Sequence, residues 1–329
     1  MRSYYFKYIM SLGFFLGLFV STTNLSAQGW VQIGSGILGD QANSSLGRVV
    51  EISKDGRIIA VATERYDTSA GTDVGIVKVY ENLAGVWTQI GSDLYGNAAN
   101  DRFGFSVSLS TNGNILAVGQ PTNTSNGIGQ IRIFENQNGT WVGIGTIIGS
   151  GNTPSIGDAV ALSSDGKRVV ISDSNSGAGF VFVYEQDTSG NWNQIGNTMA
   201  GNSSADFFGR SVDISNDGSV IAIGIHRSDI TNTDAGLARV FKYDGQSWNK
   251  VGNDIEGLGG MTDFFGTAIA LSGDGSIVIV GASFGDFNAV FNSGYVMTFA
   301  EESGVWNQLG TTLNGTFLRE RFGESVDIN

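Results

Sequence analysis

At 329 residues, with 49 Gly, only 2 Pro and 41% hydrophobic residues, the chain has the composition of a folded, turn-rich protein and not of a disordered glycine-rich one. A formal net charge of -13, with 18 Lys and Arg spread along the sequence, argues against a nucleic-acid partner, which needs clustered cations to displace counterions. Zero Cys excludes disulfides, thiolate metal sites and a lipidated cysteine anchor, and a single histidine, His226, excludes a histidine-cluster metal site.

The N-terminus reads as a secretory signal over residues 1–27. Arg2 and Lys7 form a basic start, Ile9 to Val20 an apolar stretch, and Ser21 to Ala27 a polar end closing on a small residue. The mature chain is expected to begin near Gln28. The apolar stretch falls short of the roughly 20 residues that cross a bilayer, so no membrane span is expected in the mature chain. The expected location is therefore secreted, extracellular or at the cell surface.

Beyond the signal the sequence repeats. Trp30, Trp87, Trp141, Trp192, Trp248 and Trp306 are separated by 57, 54, 51, 56 and 58 residues, and each opens a segment close to W-x-Q-I-G. Farther along each unit comes an apolar residue followed by Gly: Leu46-Gly47, Phe103-Gly104, Ile156-Gly157, Phe208-Gly209, Phe265-Gly266 and Phe322-Gly323. A first strand follows, as in Phe105 to Leu109. Then come an S-x-D/N-G turn, an almost unbroken apolar second strand such as Val220 to Ile223, and a β-branched and aromatic third strand such as Phe180 to Tyr184. The tryptophan lies on the fourth strand. An apolar run inside an antiparallel sheet needs cover on both faces, which stacked blades supply. The fold class expected is all-β: a β-propeller of four-stranded antiparallel blades over residues 28–329, with five complete blades and part of a sixth. The sequence stops inside the sixth unit, so further chain completing that blade is expected.

Phe103-Gly104-Phe105-Ser106-Val107 followed by Leu116-Ala117-Val118-Gly119, and Phe265-Gly266 followed by Ile279-Val280-Gly281-Ala282, resemble the FG-GAP repeat. That repeat is the blade unit of the integrin α-chain propeller and of many exported bacterial proteins. The resemblance implies a propeller that binds. Many such units carry a D-x-D-x-D-G calcium loop after the first strand. Here the short turn offers at most one carboxylate per blade, as with Asp55, Asp165, Asp217 and Asp274, so neither calcium nor another cofactor is expected.

The loops between second and third strands vary in length and sequence, which marks them as the expected ligand face. The candidate contacts are Arg65, Tyr66, His226, Arg227, Phe284, Phe287 and Phe291, with a protein or glycan ligand. Asp101, Asp206 and Asp263, with Glu320 in the same place, stand two residues before each Phe-Gly. They would either ring a cation or, more simply, order their loop through backbone bonds. No catalytic residues stand out: His226 lacks a nucleophile-elbow motif around it. The function expected is a secreted or surface binding and adhesion module. The alternatives are a polysaccharide hydrolase or lyase on the same scaffold, or a structural display module of a larger surface protein.

Overall fold

Five antiparallel sheets follow one another along the chain, and in each the strands lie side by side in sequence order. The first sheet runs Val49–Ile52, Ile58–Thr63, Ile76–Leu83 and Val86–Gln89, and the short strand Leu94–Tyr95 pairs with the far end of Ile76–Leu83. The inner strands of the others are Ser106–Leu109, Val160–Leu162, Ser211–Ile214 and Ala268–Leu271. The computed structural model describes residues 31–122 and 127–328; the signal expected over 1–27 and the strand expected at Trp30 lie outside the described residues. The chain divides into Met1–Ile33 and Gly34–Asn329, and all five sheets belong to the second unit. The expected propeller of four-stranded blades is the observed fold. Gly323 to Ile328, expected as the first strand of a sixth blade, form no strand, and 325–328 line the same cavity as the inner strands.

The apolar second strand shows why both sheet faces are buried. In the fourth blade Val220 and Ala222 pack into the core shared with the fifth, while Ile221, Ile223 and Ile225 pack into the core shared with the third. Alternate side chains thus serve alternate interfaces, and the run needs no polar position. Burying each such aliphatic side chain contributes roughly 1.5–3 kcal/mol. The cores between blades one and two and between two and three are built likewise.

Three of the tryptophans clasp the blade before them, while the Trp192 indole N–H is buried without a hydrogen-bond partner. The indole N–H groups of Trp141, Trp248 and Trp306 donate to the backbone carbonyls of Ile90, Ile195 and Val251, at 3.2, 3.2 and 3.1 Å. The Trp248 and Trp306 amides also donate to the side chains of Asn197 and Asn253 in the preceding blade.

At one end of the propeller lie the hairpins between first and second strands. In each, a Ser Oγ accepts the amide that starts the second strand and donates to the Asp or Asn two residues on, as Ser215 does with Val220 at 2.9 Å and Asp217 at 2.7 Å. The glycine at the end of each turn lies at φ between 69° and 75°, the left-handed conformation it supplies without strain. Successive hairpins are then tied together: the amides of Lys54, Thr111, Ser164 and Asn216 donate to the carbonyls of Thr111, Ser164, Asn216 and Gly273. These bonds form a staircase around the axis, one step per blade.

The opposite end carries the second-to-third loops and the loops that lead into each new blade. The two kinds of loop touch there, for example where the Arg227 amide donates to the Asp206 carbonyl. The glycine that opens each third strand lies under the backbone of the next Phe-Gly. A Cβ at Gly179 would stand 2.2 Å from the Phe208 carbonyl oxygen, and one at Gly236 2.1 Å from that of Phe265.

Candidate functional site

The inner strands surround a cavity of about 600 Å³ that reaches the hairpin end at Ser53 and Lys54. The equivalent positions Glu51, Ser108 and Asp213 stand on its wall. Each of these side chains accepts a backbone amide from the next blade. Ser108 Oγ takes Leu162 at 3.1 Å, Asp213 takes Leu271 at 2.6 Å, and Glu51 takes Leu109. Burial among the strands, with Asp213 and Asp327 nearby, pushes Glu51 up to about 8, and burial pushes Asp213 up to about 7. The sequence reading passed over both acids, which lie in strands that otherwise read as scaffold. A carboxylate at the cavity-facing position of a first strand was the signal that could have found them.

The loop end carries a different arrangement. His226, Arg227 and Phe284 come together, joined by Phe207, Phe264 and Arg321. The ring centroids of Phe207 and His226 are 5.4 Å apart, those of His226 and Phe264 5.7 Å, and those of Phe264 and Phe284 5.3 Å. The Arg227 guanidinium stacks 5.0 Å over Phe207 and 5.5 Å over Phe264, and that of Arg321 lies 4.4 Å over Phe284. The four rings are partly buried and the two arginines exposed. Burial, then the charges of Arg210 and Arg227, hold His226 down at about 3, so it is neutral at ordinary pH. Its Nδ1 is buried and has no hydrogen-bond partner.

The remaining expected contacts lie elsewhere in the loops. Arg65 is exposed, 3.6 Å from the Glu64 carboxylate, and Tyr66 packs against Tyr95 with ring centroids 6.0 Å apart, both in the first blade. Phe287 packs onto the core between the fourth and fifth blades, while Phe291 is half exposed. Phe207, Phe264 and Arg321 were missed although they share one sequence position, immediately before the apolar residue of the Phe-Gly pair.

The acids two residues before Phe-Gly order their own loops. Asp101 accepts the amides of Asn97 and Ala98, Glu320 those of Thr316 and Phe317, and Asp263 the Gly260 amide and the Tyr295 hydroxyl. In the hairpins, Asp55, Asp165, Asp217 and Asp274 each accept the Ser hydroxyl of their own turn. Among the described residues no group of three or more His, Asp or Glu is arranged to hold a metal ion, and no helix is long and apolar enough to cross a membrane.

No family model matches the chain. No curated protein matches it either. Among solved structures, it superposes on the periplasmic gluconolactonase of Pseudomonas aeruginosa with a TM-score of 0.54 and 18% identity, covering 79% of this chain and 70% of that one. A protein of Bacteroides uniformis described as a 6-phosphogluconolactonase gives 0.56 and 16%, covering 82% of this chain and 71% of that one. These lactonase-type propellers overturn the resemblance to the FG-GAP and integrin-type repeat. The physical reason lies in the Phe-Gly pair itself: Phe103, Phe208 and Phe265 are fully buried between blades, and Gly104, Gly209 and Gly266 take φ of 86°, 90° and 95°. The pair therefore reports how a blade begins, whatever its lineage. At 18% and 16% identity the likeness is one of architecture, and it makes the chain a β-propeller.

Proposed function

We propose that the protein is an exported binding module that recognises a protein or glycan ligand through the loop end of its propeller, after removal of the segment 1–27. The observation that carries this reading is the continuous row Arg227, Phe207, His226, Phe264, Phe284 and Arg321. It combines partly exposed aromatic surface with stacked guanidinium groups, a composition enriched where proteins make their strongest contacts. Titration of the full chain against a panel of neutral and acidic polysaccharides and extracellular proteins tests it. A ligand should emerge whose affinity falls on His226→Ala and Arg227→Ala. An affinity untouched by both substitutions overturns the placement.

A second reading, hydrolysis in the central cavity, has one observation in its favour. Glu51 and Asp213, at about 8 and about 7, are carboxyl groups with the proton affinity that general acids need at neutral pH. Two of the architectural relatives bear gluconolactonase names, which makes sugar lactones and polysaccharides the first substrates to offer. Turnover that survives Glu51→Gln and Asp213→Asn together eliminates this mechanism.

A further inference from the structure

Phe207 and Phe264 lie at φ of 56° and 54°, in the left-handed region that bulky side chains rarely occupy. Their neighbours Phe208 and Phe265 are fully buried, whereas these two reach the surface. Arg102 and Arg321 hold the same place in their own units, each at 56°. Gly or Asn would sit there without strain. Ser45 takes φ 56° at the same place in the first unit, but at the other four the backbone holds a phenyl ring or a guanidinium, and strain borne by side chains this large points toward a surface that is used.

On a chain of net charge -13, and among the described residues, no carboxylate forms an ion pair with Arg210, Arg227 or Arg321. The acids of the same loops are engaged locally. Asp229 accepts the Asp234 amide at 2.7 Å, Asp286 accepts the Asn292 amide at 2.7 Å, and Asp263 takes the Tyr295 hydroxyl at 2.9 Å. An arginine stacked on a ring keeps its N–H edge free for a carboxylate, which it grips with two parallel bonds. Phenyl faces offer the apolar counterpart to the C–H faces of sugar rings. A neutral glycan would leave the guanidinium edges unused, and a carboxylate presents the two oxygens that a guanidinium grips in parallel.

We propose that the row from Arg227 to Arg321 binds a uronate-bearing polysaccharide, with phenyl rings against the sugars and guanidinium groups on the carboxylates; this rests on the loop-end binding reading. The test is isothermal titration of the full chain with three probes: polygalacturonate, its methyl ester and oligothymidylate. The methyl ester keeps the sugars and removes the charge. Wild type should bind polygalacturonate about tenfold or more tightly than the ester, and Arg227→Ala with Arg321→Ala should abolish that preference. Phe264→Asn should weaken binding without lowering Tm, because Asn accepts the left-handed backbone. Lys167→Ala, at an exposed hairpin, should change nothing.

Equal binding of acid and ester, both weakened by Phe264→Asn, overturns the uronate inference and leaves loop-end binding standing. Polygalacturonate binding that ignores Phe264→Asn and the arginine pair overturns both. Oligothymidylate bound in preference to polygalacturonate overturns the inference in favour of single-stranded nucleic acid, and failure of all three probes to bind overturns it outright.

Discussion

At the hairpin end, five turns repeat one solution, serine to aspartate or asparagine and serine to amide, and four amide-to-carbonyl bonds link each turn to the next. At the loop end of the same blades, the equivalent positions hold Glu64, Pro121, Ser174, His226 and Ser283, and three of these carry a buried polar atom with no hydrogen-bond partner. One end satisfies its polar groups identically in every unit, and the other leaves them unlike and partly unmet. A buried unpaired group costs free energy that a purely structural surface has no reason to carry. The difference separates the part of the repeat that holds the propeller from the part proposed to meet a ligand.

The sharpest way to probe that contrast is beneath the loops themselves. Gly179, at φ 83°, supports the Phe208 backbone of the next blade, and a Cβ there meets main-chain atoms and not a side chain that could turn aside. Gly179→Ala should cost about 3 kcal/mol or more, measured by urea denaturation. At the exposed loop tip beyond, Ile230→Ser should stay within about 0.5 kcal/mol. A mild effect of Gly179→Ala would mean that the loop end is soft to its base, and the division between rigid support and variable tip would fail.

Glu51 tests the cavity between the two ends. Its carboxyl is raised in the folded state from 4.5 to about 8, so across that window the folded protein holds a proton that the unfolded chain has released. The contribution of Glu51 to folding stability must then fall as pH rises from 4.5 toward 8, against the contribution of His226, whose lowered value makes stability rise up to its unfolded value of 6.5. Glu51→Gln keeps an acceptor for the Leu109 amide and removes the titration. It should flatten this decline and stabilise the protein at the upper end of the window by about 2 kcal/mol, a figure reduced for water in the cavity. Thermal melts of both proteins across the window check the sign. A stability advantage of Glu51→Gln over wild type that does not grow with pH across the window contradicts it.

Much of the fold was legible because the repeat records contacts between blades. Trp141, Trp248 and Trp306 are indoles that clasp the preceding blade, and apolar second strands are strands with two interfaces. The same regularity misled at the level of lineage, since Phe-Gly is what the start of a blade requires. The row proposed as the ligand face was legible only where a residue stood out against its loop. The sequence named His226, Arg227 and Phe284, which the fold brings together, but Phe207 and Phe264 were hidden beside Phe208 and Phe265. The left-handed backbone that turns one phenyl outward and the next inward leaves no trace in composition or periodicity. Arg65 and Tyr66 belong to an equally variable loop in another blade, and sequence offers no means of telling which loops share a surface.

The smallest effect belongs to the hairpin end, where it is also the most exactingly patterned. Ser215 is fully buried, and Ser215→Ala strips the Val220 amide of its acceptor and Asp217 of a donor while the backbone bonds of the turn remain. The expected loss is about 1–2 kcal/mol by urea denaturation. Ser110 makes the same two bonds, but its partner two residues on is the neutral Asn112, at 2.9 Å in place of 2.7 Å. A hydroxyl donating to a carboxylate forms a stronger bond than one donating to an amide oxygen. Ser110→Ala should therefore cost less than Ser215→Ala. If the two losses are equal, the aspartate charge adds nothing to the turn, and the serine-to-amide bond alone explains why the hairpin end is uniform.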